Sequence, residues 1–173
     1  MRIRRATIAD LATVKRLEQQ AALDEFSASE LQQGMLGDHF DESQLKRLLN
    51  EGAIWLLDIG GNVLGYLVFA QYSFHQPTSL YRELKRQAER NDIILNYHKL
   101  SVCGPVWLAP NARGTGAFQR LFSAAKAETS NTVIALVAEH NERSLKAHCQ
   151  YAGMHIADYM TLCGRDFYLL QRD

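Results

Sequence analysis

A chain of 173 residues, 47% hydrophobic and 22% charged, has enough apolar material for one packed core and none of the biases of a fibrous or disordered protein. Nineteen basic and nineteen acidic side chains cancel to a formal net charge of zero, which removes the electrostatic case for nucleic acid or an acidic membrane as a general partner. No apolar run follows the basic opening residues or reaches membrane-spanning length, and Cys103, Cys149 and Cys163 are too scattered for a disulfide framework or a metal site; the expectation is a single domain over residues 1–173, cytoplasmic, with reduced thiols and no metal.

Ile3 to Ala6 reads as a short strand, and Thr7 with Asp10 three residues on is a helix-start signature. In the helix that follows, Ile8, Leu11, Val14, Leu17 and Ala21 recur at spacings of three and four and are assigned to a core face. A second helix is predicted over Glu42 to Leu49. Two strands, Ala53 to Ile59 and Val63 to Tyr72, flank Gly60-Gly61 as a hairpin. Ser79 to Arg90 is strongly charged and rich in helix formers, and is read as an exposed helix with a solvated face. A strand over Leu100 to Leu108 is interrupted by Gly104-Pro105, which predicts a bulge or an unpartnered edge there. Then come a helix from about Gly116 to Glu128, a β-branched strand Thr132 to Ala138, a helix Glu142 to Ala152, and strands Met154 to Leu162 and Phe167 to Leu170. This order implies an α/β sandwich with helices packed on one sheet.

The richest stretch runs from Val106 to Phe118. A strand ends, a turn holding Gly114 and Gly116 follows, and a helix opens with Phe118, Leu121, Phe122 and Ala125 on one side. The first amides of such a helix have no intrahelical acceptors and sit at the positive end of its dipole, so the junction is a place for an anion. Glycines let backbone approach that anion closely, and Arg113 adds a charge. The letters lack both the Gly-Lys-Ser/Thr of a triphosphate loop and the three glycines of a dinucleotide fingerprint, which leaves a diphosphate or similar anion held by amides.

This stretch resembles the GCN5-related N-acetyltransferases (GNAT family), whose pyrophosphate signature is Arg or Gln, two residues, Gly, one residue, then Gly or Ala. Arg113 and Gly116 match, and Phe118 stands where the last small residue belongs. Downstream, Asn141 and Ser144 match the family's Asn and small residue, His148 takes the place of its Tyr, and Gly153-Met154 comes one residue late. The resemblance covers nearly the whole chain apart from residues 75–99. It implies an α/β fold with a mixed, mostly antiparallel central sheet, a splayed parallel strand pair, and helices on both faces. It also implies acetyl-coenzyme A (acetyl-CoA) as cofactor, a small-molecule or peptide amine as acceptor, direct attack in a ternary complex, and compatibility with a homodimer. Val106, Trp107 and Leu108 take the positions that pair with the pantetheine arm, and Arg113, Gly114, Thr115, Gly116, Ala117 and Phe118, with Asn141 and Ser144, complete the cofactor set.

Acyl transfer to an amine needs a polarised carbonyl, a neutral amine and a proton for the departing thiolate. The proton donor is His148 by count from Asn141, or Tyr151 by chemistry, since a phenol with a pKa of about 10 keeps its proton at neutral pH. Glu139 or His140, directly after the strand Thr132 to Ala138, supplies the base; Tyr97 and His98 are candidates for the acceptor pocket, and Cys149 is assigned to structure. The competing reading is a coenzyme A binding module without catalysis, motivated by Phe118 and the displaced Gly153.

Overall fold

The computed structural model describes residues 1–25 and 40–173, which divide into two compact units: Met1–Phe69 with Pro105–Ala125, and Ala70–Gly104 with Lys126–Asp173. Two strands contribute residues to both, β3 (Asn62–Gln71) and β4 (Leu100–Leu108).

In the first unit β1 (Arg2–Arg5) pairs antiparallel with β2 (Ile54–Ile59), and β2 with β3. Gly60 and Gly61, with φ of 63° and 85°, make the hairpin turn that only residues tolerant of the left-handed region accept. The amide of Ala109, directly after β4, donates to the Leu64 carbonyl at 2.8 Å, which places the second half of β4 beside β3. Gly65 permits that approach: a Cβ there would stand 2.5 Å from Leu108 Cδ2 and 2.8 Å from the Trp107 carbonyl. Helix α1 (Leu11–Glu25) buries Val14, Leu17 and Ala21, and α2 (Glu42–Asn50) buries Leu45, Leu48 and Leu49 behind an Asp41 cap whose carboxylate accepts from the Gln44 amide. The Thr7–Asp10 signature forms, with Asp10 accepting from the Thr7 amide at 2.8 Å, but it opens a 3₁₀ turn, Ile8–Asp10, rather than α1 itself. That turn has a tighter period than the helix after it, so Ile8 falls off the apolar stripe and is 54% exposed instead of part of the core.

In the second unit the strand order is β4, β5 (Thr132–Ala138), β7 (Arg165–Arg172), β6 (His155–Leu162). β5–β7 and β6–β7 are antiparallel; β4–β5 is parallel and pairs only at Leu100–Thr132, Ser101–Val133 and Val102–Ile134, although β5 runs on to Ala138. The pairing stops just before Gly104, whose φ of 128° and Pro105 neighbour break the ladder as the sequence implied. Among the described residues the fold is a mixed, mostly antiparallel α/β arrangement with one parallel pair.

A short helix α3 (Tyr72–His75) leads to α4 (Ser79–Arg90), capped by Thr78. The reading of α4 as merely an exposed helix is corrected: Leu84 and Ala88 are fully buried in a cluster with Met160, Leu162 and Phe167. Its polar residues are also used, since Gln87 donates to the Thr161 carbonyl at 2.6 Å and Glu83 accepts from the Cys163 amide at 2.9 Å. Two apolar residues four apart were enough to bury one stripe, and the charges cover the rest. Helix α5 (Ala117–Lys126) belongs mainly to the first unit and α6 (Glu142–Gln150) to the second. No helix among the described residues is long and apolar enough to cross a membrane.

Candidate functional site

In the first unit Val106, Trp107 and Leu108 end β4, Pro110–Ala112 forms a single 3₁₀ turn, and Arg113 to Gly116 leads into α5. Gly114 and Gly116 have φ of 73° and 80°, and a Cβ on either would meet nothing within 4 Å. Glycine is therefore required there by backbone conformation, and space is left over the turn. The Gly116 carbonyl accepts the Arg120 amide at 3.1 Å, so the helix starts at Gly116 and the amides just inside it lack intrahelical acceptors. The turn is stiffened from within: the Thr115 hydroxyl donates to the Ala112 carbonyl at 2.7 Å, and Arg113 Nε donates to the Leu108 carbonyl at 2.8 Å.

The ring of Phe118, which replaces a small residue in the motif, is buried and packs on Phe122 with centroids 6.2 Å apart, so the departure leaves the turn's outer surface unobstructed. Arg113 Nη2 donates to Asp24 Oδ2 at 3.0 Å. The same oxygen accepts Trp107 Nε1 at 2.8 Å. Asp24 is invisible to motif reasoning because it lies 83 and 89 positions from these partners. Gly65 carried a signal, a glycine inside a strand.

In the second unit Asn141 caps α6, its side chain accepting the Ser144 amide at 3.1 Å. His148, one turn on from Ser144, is only 3% exposed. Its Nδ1 lies 2.8 Å from the Ser144 carbonyl, which fixes the proton on Nδ1 and leaves Nε2 to accept from the Cys103 thiol at 3.8 Å. Burial holds this imidazole below its ordinary pKa and pushes the Cys103 thiol up to about 12, so the pair is neutral. Tyr151 stands at the C-terminal cap of the same helix and is 52% exposed. Gly153, with φ of 64°, ends the helix, and the Met154 amide donates back to the His148 carbonyl at 3.1 Å.

Glu139 follows β5 and its amide donates to the Asp166 carbonyl at 3.0 Å. Loss of water around the ring and the neighbouring Glu139 carboxylate push the Tyr159 phenol up to about 12. Tyr168 lies against Tyr159 with centroids 5.2 Å apart. Cys149 is half-buried and His140 exposed, while Tyr97 packs on Tyr72 with centroids 4.9 Å apart.

No protein-family model and no curated protein sequence matches the chain. Its fold does match solved structures over nearly its whole length. An N-acetyltransferase from Staphylococcus aureus Mu50 aligns with a TM-score of 0.66 and 20% identity over 99% of this chain and 97% of that one. A ribosomal-protein-alanine N-acetyltransferase from Brucella melitensis aligns at 0.65 and 18% over 99% of each. A GNAT-superfamily phosphinothricin acetyltransferase from Sinorhizobium meliloti, in complex with acetyl-CoA, aligns at 0.65 and 19% over 99% of this chain and 86% of that one. The chain has the fold of these acetyltransferases.

Proposed function

We propose that this protein is a GNAT-type N-acetyltransferase, which moves an acetyl group from acetyl-CoA to an amine by direct attack in a ternary complex. The observation that carries this reading is the turn at Gly114 and Gly116, two glycines held at positive φ between a strand and a helix N-terminus, with open space above them. It is the kind of cradle a diphosphate fits, because backbone amides and the helix dipole supply the binding and no side chain intrudes. The burial of Phe118 supports the same fit, since the one unusual residue of the motif turns its ring away.

When bound, acetyl-CoA supplies the activated acyl group. The chain's residues then have separate tasks. Amides of Gly116, Ala117 and Phe118 hold phosphate oxygens, and the backbone of Val106 to Leu108 aligns the arm. Tyr151 holds the proton that the departing thiolate needs, and its exposure leaves the phenol accessible. His148 is the weaker candidate because both ring nitrogens are engaged and burial keeps it neutral. Glu139 takes the amine's proton directly or through water. The acceptor is a small-molecule or peptide amine.

The test is an acetyl-transfer screen over amine classes with released thiol as readout, alongside a thermal-shift titration with coenzyme A. Thiol release that depends on the amine is the expected result. Absence of a shift at millimolar coenzyme A would end the cofactor assignment.

A further inference from the structure

We propose that Asp24 is a positioning residue for the cofactor-binding turn, a role that rests on the acetyl-CoA reading above. One carboxylate oxygen, Asp24 Oδ2, accepts two donors that flank the turn: Trp107 Nε1 at 2.8 Å from β4 and Arg113 Nη2 at 3.0 Å from the turn itself. Arg113 closes the arrangement by donating Nε to the Leu108 carbonyl at 2.8 Å, with its guanidinium carbon 6.0 Å from the centroid of the Trp107 ring. The last residue of the strand, the first of the motif and the last turn of α1 are thereby fixed to one another by three hydrogen bonds.

The energetics say what this arrangement is for. Asp24 and Arg113 side chains are 42% and 28% exposed, and an ion pair that wet adds little to global stability. Its effect is geometric. Arg113 cannot swing over the turn while it is held by Asp24 and Leu108, so the space above Gly114 and Gly116 stays clear and the helix amides keep their aim. The Arg in the motif thus acts through the backbone it braces, and Asp24 sets its orientation. The opposite role, a carboxylate that sequesters Arg113 from the phosphates and must be displaced, predicts the opposite sign of effect on binding.

The experiment is calorimetric titration of coenzyme A into the wild-type protein, Asp24→Ala and Asp24→Asn, with steady-state kinetics against acetyl-CoA. In Asp24→Ala the Kd for coenzyme A rises by about fivefold to tenfold, the loss of hydrogen bonds to a charged group at a half-wet site. Asn keeps an acceptor oxygen, so Asp24→Asn falls between Ala and wild type. The KM for acetyl-CoA rises in parallel while kcat at saturation and the ligand-free Tm stay near wild type, a split that a general loss of structure does not produce. An unchanged or tighter Kd in Asp24→Ala overturns the positioning role while the acetyltransferase reading stands. Failure of the wild-type protein itself to bind coenzyme A overturns that reading and this inference with it.

Discussion

Gly116 separates two effects that a single substitution there would confuse. Its φ is 80°, and a Cβ built on it meets no atom within 4 Å, so alanine brings backbone strain without a clash. For an L-residue in the left-handed region that strain is about 1–2 kcal/mol, which lowers Tm by roughly 2–8 °C in a chain of this size. Asp carries no greater strain, because its short polar side chain tolerates this region better. The two variants therefore carry similar backbone strain, and a difference in coenzyme A binding between them reports the added carboxylate. A carboxylate about 4 Å from a phosphate is repelled by about 1 kcal/mol in bulk water and by about 4 kcal/mol at the effective dielectric of a protein surface. Gly116→Asp should thus bind coenzyme A roughly fivefold to several hundredfold more weakly than Gly116→Ala. Gly153→Ala is the control: it also forces a residue to positive φ, at 64°, but at the far end of α6, and should leave the Kd unchanged. The assay is calorimetry on the three variants with Tm measured for each. Identical Kd values for Gly116→Ala and Gly116→Asp, both folded, would show that the anion is bound elsewhere.

Tyr151→Phe should lower turnover by roughly a hundredfold or more with the KM for acetyl-CoA unchanged, as for a group that acts mainly in the transition state, and wild-type turnover in that variant would remove Tyr151 as proton donor. His148→Ala should instead appear in urea denaturation, with a loss of about 2–4 kcal/mol, because it deletes a buried ring and leaves the Ser144 carbonyl and Cys103 thiol without it. Burial holds His75 at about 4 and His148 below its ordinary value, so the unfolded chain binds these protons first; stability is complete above about pH 6.5 and declines as pH falls toward about 4. His75→Gln should flatten that slope by up to about 3 kcal/mol, while the separate decline from Asp10, whose carboxyl is held at about 2 by Arg4, begins only below its unfolded value near 4 and continues toward pH 2; an unchanged slope in His75→Gln rules out His75 as its source. Leu84→Ala should cost about 2–5 kcal/mol, measured by chemical denaturation, if α4 is anchored in the core rather than lying on the surface.

The element order and most boundaries follow from local rules, because periodicity and turn chemistry act over a few residues. β4 from Leu100 to Leu108, β5 from Thr132 to Ala138 and α4 from Ser79 to Arg90 have the bounds that the sequence predicts, and Gly60-Gly61 makes the hairpin it announces. The turn from Arg113 to Gly116 was equally legible, since positive φ at two glycines before a helix is a property of the chain itself. Tertiary structure decided what no window of residues contains. It buried Leu84 and Ala88 in a helix that looked solvated. It paired Arg113 with Asp24, and it closed His148 between the Ser144 carbonyl and the Cys103 thiol. Each of these depends on a partner that the fold supplies, in most cases dozens of positions away, and the energy of a polar or apolar side chain is set by the partner and the water it loses, which spacing along the chain does not record.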